Sequence, residues 1–210
     1  MIVKLNETNL IEAAQWLAER DKGLAKVLDN FGYPPLWARE PGFSTLVHII
    51  LEQQVSLASA NAAFQRLKAY VGNLTPAAFS SLDDDLLRNI GFSRQKTPYV
   101  RALANAVLSG RFDFNALSDL SDEQVRDEMK QLKGIGDWTA DIYLSECLLR
   151  PDILPKGDIA MQEAFRVLNG LTERPVHDLF EASTQHWRPW RSVGTRMLWH
   201  FYLCRRKQPS

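Results

Sequence analysis

Apolar residues recur along this chain at the three- and four-residue spacing of helices. Leu10, Ala13, Ala14 and Leu17 form one stripe, and Leu24, Val27 and Leu28 a second. Leu46, Ile49 and Ile50 follow, then Leu57, Ala60, Phe64 and Leu67. The same spacing predicts helices over residues 83–90, 94–109, 121–131, 137–149, 159–169, 176–185 and 190–203. Turn-forming residues separate them: Gly32 to Pro35, Pro41-Gly42, Gly72-Asn73 with Pro76, Gly91, Gly110, and Pro151 to Gly157. No stretch sustains period-two alternation between turn signals, so an all-α fold is expected. No internal repeat or low-complexity linker breaks the pattern. The short segment before Phe43 is expected to pack on the C-terminal helices.

Composition narrows the picture. A chain of 210 residues suits one domain or two tightly joined lobes, and 45% hydrophobic content is too high for disorder. Lys and Arg number 25, against 25 Asp and Glu. That balance counts against attachment to nucleic acid by bulk charge alone, but leaves room for a local basic face. The two cysteines, Cys147 and Cys204, sit in apolar helical stretches and read as buried free thiols. Two cysteines cannot build a four-cysteine zinc or iron–sulfur site, so no side-chain metal centre is expected. The N-terminal residues lack an apolar signal core, and no apolar run is long enough to span a bilayer. A soluble, intracellular monomer with no membrane partner is the expectation.

The richest stretch is Leu132-Lys133-Gly134-Ile135-Gly136-Asp137-Trp138-Thr139-Ala140. A polar helix leads in and an apolar helix leads out. Two glycines one residue apart let the backbone turn sharply and bare its N–H groups. At the start of a helix those groups favour an anion. The stretch therefore reads as a hairpin gripping a phosphate, with Asp137 as helix cap and the Thr139 hydroxyl as an added donor. An ordinary tight turn between helices is the plainer reading of Gly-Ile-Gly alone. Downstream, Leu154-Pro155-Lys156-Gly157-Asp158 ends a rigid loop and opens the next helix. Asp158 there is an N-cap, alone or with a second role. Asp152 lies too early in the loop to share it.

Together these motifs resemble the helix-hairpin-helix, Gly/Pro–Asp superfamily of base-excision DNA glycosylases. The 3-methyladenine glycosylase II branch, in its compact form, matches over roughly residues 43–203. The resemblance implies two all-α lobes with the active-site cleft between them. Lobe A would hold residues 1–42 and 151–210; lobe B would hold 43–150, with the helix-hairpin-helix at 121–149. It makes Asp158 the catalytic carboxylate, which stabilises oxocarbenium character at C1′ and orients or deprotonates the attacking water. This is the logic of glycoside hydrolysis with one carboxylate in evidence. The lack of a second acid suits an N-alkylated purine, already a good leaving group.

Members that also cut the strand carry a lysine two residues after the second hairpin glycine, where it forms a Schiff base. Here that position is Trp138, so base removal without AP-lyase activity is expected. The absent cysteine quartet separates the chain from the branch resembling endonuclease III. The C-terminal Trp187-Arg188-Pro189-Trp190-Arg191-Ser192 pattern also belongs to the 3-methyladenine branch. By resemblance, Trp138 and Trp199 line the base pocket, with Ile142, Tyr143, His200 and Phe43 near it and Trp37 as a further wall. Cation–π attraction gives tryptophans a reason to face a cationic base, although Trp187 and Trp190 read better as core.

Gln53-Gln54-Val55-Ser56 breaks an apolar helix with polar residues. By resemblance Gln54 enters the gap left by the flipped nucleotide and Gln53 supports the junction or the pocket; the bland alternative is a helix end with exposed amides. Lys96, in the family's Gly-x-x-x-x-Lys junction, would join Arg94, Lys133, Gly134, Gly136 and Thr139 at the DNA face; a solvated helix surface is the plainer reading of Lys96, Arg94 and Lys133 taken singly. Hairpin carbonyls hold a monovalent cation in some relatives; no other cofactor is implied. The expected partner is duplex DNA carrying alkylated bases. The lesion range stays open among 3-methyladenine, 7-methylguanine, hypoxanthine, ethenoadenine and 1-methyladenine. The expected location is the nucleoid of a bacterium or the nucleus of a eukaryote. A non-catalytic DNA-damage binder and a helical protein-binding module are the competing readings.

Overall fold

The computed structural model describes residues 3–207; Met1, Ile2 and residues 208–210, where the N-terminal reading and the expected domain limits begin and end, lie outside the described residues. Among the described residues every regular element is helical. In chain order these are α1 (Glu7–Ala18), α2 (Lys22–Phe31), α3 (Phe43–Glu52), α4 (Leu57–Val71), α5 (Pro76–Ser80) and α6 (Asp84–Ile90). Then come α7 (Lys96–Leu108), α8 (Asp122–Lys130), α9 (Asp137–Ile142), α10 (Ile159–Leu168), α11 (His177–Ser183) and α12 (Arg191–Lys207). Each stripe read from the sequence lies on one of them. The starts carry the expected chemistry: Asn6 and Ser121 make capping boxes, and Asp21, Ser56, Thr75, Asp83 and Asp158 cap with one side-chain oxygen.

Three details depart from the sequence pattern. The single turn α5 was legible only as a turn signal, because Pro76 occupies its first position and five residues show no period. A 3-10 turn at Ala116–Asp119 was likewise hidden. The expected helix 137–149 is α9 followed by a π-helical segment, Tyr143–Cys147.

The chain forms two compact units, Met1–Ala38 with Leu144–Ser210, and Arg39–Tyr143. The expected lobe limits lay later, at 42/43 and 150/151. Hydrogen bonding accounts for the earlier second limit. The Leu5 N–H donates to the Leu149 carbonyl at 2.7 Å. Buried Arg196 of α12 donates to Ser145 Oγ at 3.0 Å and to the Ser145 carbonyl at 2.7 Å. Residues 144–150 thus belong with α12. Arg196 also donates to the Leu36 carbonyl at 2.8 Å, and burial pushes its pKa down to about 10, against the favourable charge of Glu146.

In the first unit α12 packs on α1, α2 and α10. Ala14, Leu17, Leu24, Val27, Trp187, Val193, Met197 and Leu198 fill its core. Trp187 is therefore core, the reading preferred for it from the sequence. Its indole N–H donates to Asp21 at 2.8 Å, and His186 Nε2 lies 3.0 Å from the same oxygen. Burial raises the Asp21 pKa, but bonds from Trp187, the Leu24 N–H, His186 and the Gly23 N–H outweigh it and hold it below 3.8. Asp21→Ala should lower stability by about 2–4 kcal/mol, because it removes a cap and orphans the buried indole N–H. Urea unfolding checks this. The carboxylate's extra contribution is complete above the unfolded pKa near 3.8 and is lost as pH falls through the lower folded value.

In the second unit α3 is central and packs on α4, α7 and α9; α5 lies on α7, and α8 on α9. Leu46, Val47, Ile49 and Ile50 on α3 are fully buried, as are Phe79, Leu87, Val100 and Val125. Buried Glu52 at the end of α3 takes a two-point ion pair from Arg39, at 3.0 and 3.1 Å.

Candidate active site and nucleic-acid interface

Asp158 is 5% exposed and opens α10; its Oδ1 accepts from the Met161 N–H at 2.9 Å. The loop before it is staked at several points to the start of α12. Ser192 Oγ donates to the Arg150 carbonyl at 2.6 Å and accepts from the Ile153 N–H at 2.9 Å. The Ser192 N–H donates to the Pro151 carbonyl at 3.0 Å. Arg191 grips Asp152 through Nε at 2.7 Å and Nη2 at 3.1 Å, and Arg188 adds a bond at 2.6 Å. Asp152 is thus consumed in an ion-pair cluster. Arg188, Arg191 and Ser192 hold the loop that delivers Asp158, a role hidden in the sequence behind the tryptophans beside them.

Trp199 is half-buried on α12 and meets Tyr202 edge-on at 5.7 Å. His200 is tied into the same unit, with Nε2 2.8 Å from the Phe31 carbonyl, and Trp37 lies 6.4 Å from its ring. Trp37 has a left-handed backbone, φ 49°, immediately after the Leu36 carbonyl that Arg196 holds. Strain of this kind in a bulky residue persists only where surroundings enforce it. Cys204 Sγ is 3.8 Å from His200 Nδ1 and this thiol is half-buried, whereas Cys147 is buried; neither is in a disulfide. Among the described residues no group of three His, Cys, Asp or Glu side chains can hold a metal ion. No helix among them is long and apolar enough to cross a membrane.

In the second unit, the hairpin runs from α8 through Lys133-Gly134-Ile135-Gly136 into α9. Gly134 has φ +84°, and the Tyr99 ring sits where its Cβ would be. Lys133 and Gly136 are exposed, as a phosphate-facing turn requires. Gly136, not Asp137, occupies the cap position, and no side chain caps it. Asp137 stands one residue inside the helix, 3.0 Å from Lys130 Nζ. Trp138, in the first turn of α9, is half-buried.

Several expected site residues have other duties. Thr139 is 2% exposed, and its hydroxyl accepts from Gln53 Nε2 at 2.9 Å, which ties it to the C-cap residue of α3. Gln53 Nε2 also donates to the Gly134 carbonyl at 3.0 Å, so its contact is with the hairpin. Lys96 is buried, not part of a basic face. Its Nζ donates to the Leu51 and Gln53 carbonyls at 2.7 and 2.8 Å, and burial lowers its pKa. The cause is the α3 terminus, whose last carbonyls lack intrahelical partners and attract a cation. Phe43, Ile142 and Tyr143 are also enclosed: Phe43 lies 6.4 Å from Phe79, and fully buried Tyr143 lies 6.0 Å from Phe114. Proposed as pocket walls, they offer no open face. Gln54, by contrast, is exposed with φ 56°, and Val55 beside it is 47% exposed.

The all-helical fold, the glycine hairpin and the capped carboxylate define one class of protein. Residues 47–189 match the HhH-GPD superfamily of base excision DNA repair proteins, and this chain belongs to that family. It is similar to DNA-3-methyladenine glycosylase 1 of Schizosaccharomyces pombe, 28% identical over 87% of this chain and 82% of that protein. The solved structure of the Schizosaccharomyces pombe 3-methyladenine DNA glycosylase with abasic DNA covers 90% of this chain and 95% of its own, at 27% identity and a TM-score of 0.85. A DNA-3-methyladenine glycosidase from Bacillus halodurans matches at 29% identity, with coverage of 90% and 88% and a TM-score of 0.72.

Proposed function

We propose that this chain is a monofunctional DNA-3-methyladenine glycosylase that removes alkylated purines from duplex DNA by hydrolysis and leaves an abasic site. The observation that carries the reading is Asp158: a buried carboxylate on a staked loop, in a chain of this family. Buried and held, it stabilises positive charge developing on the deoxyribose far better than a solvated carboxylate does. Its N-cap bond fixes the side chain before substrate arrives, so little reorganisation opposes the step. The same carboxylate orients or deprotonates the attacking water.

The base must leave the stack to be reached. Exposed Gln54, with its left-handed backbone and apolar Val55 beside it, is the residue we assign to the vacated space. Trp199 on α12 is the aromatic face we assign to the cationic base, worth about 0.5–2 kcal/mol. Lys133 and the N–H groups around Gly136 are assigned to backbone phosphate. DNA binding should then weaken with salt. The relatives named for 3-methyladenine support the substrate class, and the chemistry agrees: an N-alkylated purine departs without a protonating acid.

Free-base release from methylated duplex, followed by chromatography, tests the reading. The expected products are 3-methyladenine and an uncut abasic strand, with no adduct trapped by borohydride because Trp138 cannot form a Schiff base. A trapped adduct would refute the monofunctional assignment. A folded protein that binds abasic duplex yet releases no base would leave only a damage binder.

A further inference from the structure

Two elements assigned to DNA lie in the second unit, and a continuous set of polar contacts joins them. The α3–α4 loop carries exposed Gln54, and the hairpin carries Gly134. Between them stands Gln53, whose main chain and side chain are held from different directions. Its carbonyl, with that of Leu51, accepts from the buried Lys96 ammonium at 2.8 and 2.7 Å. Its amide reaches the Gly134 carbonyl at 3.0 Å and the Thr139 hydroxyl at 2.9 Å. Lys96 begins α7, and three residues along that helix the Tyr99 ring packs against Gly134 where its Cβ would be. Tyr99 is steadied by Gln95, whose Nε2 lies 2.8 Å from its hydroxyl. The hairpin glycine is thus held by Gln53 and Tyr99, and α7 supports both.

Gln54 immediately follows this bridge and has φ 56°, a conformation that only firm flanking contacts maintain in a residue with a side chain. Lys96 supplies those contacts on the N-terminal side. Its three donors suit several diverging carbonyls at a helix end, where an uncharged side chain leaves them unmet. We infer that Lys96 and Gln53 are positioning residues that lock the Gln54 loop to the phosphate-binding hairpin as one rigid piece, so that gripping the backbone sets Gln54 at the height needed to replace a flipped base. This rests on the glycosylase reading, but concerns how the loop is aimed, not what it recognises.

The test compares wild type, Lys96→Met, Lys96→Arg, Gln53→Met and Gln54→Ala. The probe is duplex DNA with 2-aminopurine beside a tetrahydrofuran abasic analogue, whose fluorescence reports unstacking at saturating protein. Single-turnover release of 3-methyladenine and affinity for undamaged duplex are read alongside, with folding checked by circular dichroism. Lys96→Met and Gln53→Met should lose most of the fluorescence change and slow release by about 100-fold, the scale of an ångström-sized misplacement. Affinity for undamaged duplex should stay within about threefold, since backbone contacts supply non-specific binding. Lys96→Arg, which keeps the charge and donors, should recover most of the signal.

A folded Lys96→Met or Gln53→Met with full signal and rate overturns the coupling. So does an equal loss of undamaged and abasic binding, which would make these residues ordinary supports of the hairpin. If Lys96→Met does not fold, Gln53→Met, which cuts only the hairpin link, decides alone. Wild type that gives neither signal nor base release overturns the glycosylase reading and the coupling together. A wild-type signal that survives Gln54→Ala assigns the insertion elsewhere and overturns the coupling only.

Discussion

Asp158→Asn should fold like the wild type and release 3-methyladenine about 100–1,000 times more slowly, the cost of removing one fixed electrostatic partner of a transition state. Asparagine is the informative substitution because Asp158 has two duties. As N-cap it accepts from the Met161 N–H at 2.9 Å, and asparagine caps a helix about as well. The fold therefore keeps α10 and the staked loop. What is lost is the negative charge. A neutral amide neither balances an oxocarbenium centre nor takes a proton from water. Burial at 5% exposure makes that loss large, because water cannot screen or replace the charge. Single-turnover base release with a parallel melting curve separates chemistry from stability. A folded variant within about threefold of wild type would remove Asp158 from the mechanism.

Gly134→Ala should reduce stability by about 2–5 kcal/mol, combining a left-handed residue with overpacking, and should abolish tight binding to abasic duplex. The added Cβ would fall inside the Tyr99 ring, and φ there is +84°. Tyr99 cannot simply swing aside, because Gln95 holds its hydroxyl at 2.8 Å. The strain therefore passes to the hairpin backbone, whose carbonyl Gln53 also holds. Adding Tyr99→Ala should relieve the overlap and leave the backbone strain, so the double variant recovers part of the stability lost by the first. That recovery is a non-additivity visible in urea unfolding. Simple additivity would show that the ring and the glycine are not in competition.

Local patterns in the chain carried much of this. Helical periodicity located the long elements, because a buried stripe must recur every third or fourth residue whatever lies opposite it. Asp158 announced a helix start, because capping is chemistry among neighbours in sequence, whereas the cap expected of Asp137 falls to Gly136. Gly134 and Gly136 marked a hairpin for the same local reason. The single turn α5 and the π-helical segment after α9 escaped, since neither leaves a period in so few residues.

Side-chain duty was a different matter. Lys96 read as a DNA contact because a lysine near a motif in a nucleic-acid binder faces solvent in most proteins. Only the arrival of α3 beside α7 gave its ammonium two helix-end carbonyls to satisfy. Thr139 looked available for phosphate and Gln53 for the junction or the pocket, yet they are 86 positions apart and bonded to each other. Trp187 was foreseen as core, whereas Arg191 and Ser192 gave no sign of holding the Asp158 loop. The sequence by itself determined the long helices, the hairpin and the family. The tertiary structure alone decided which polar groups face outward and which hold other segments in place. A buried donor must find an acceptor, and that acceptor is supplied by segments distant along the chain.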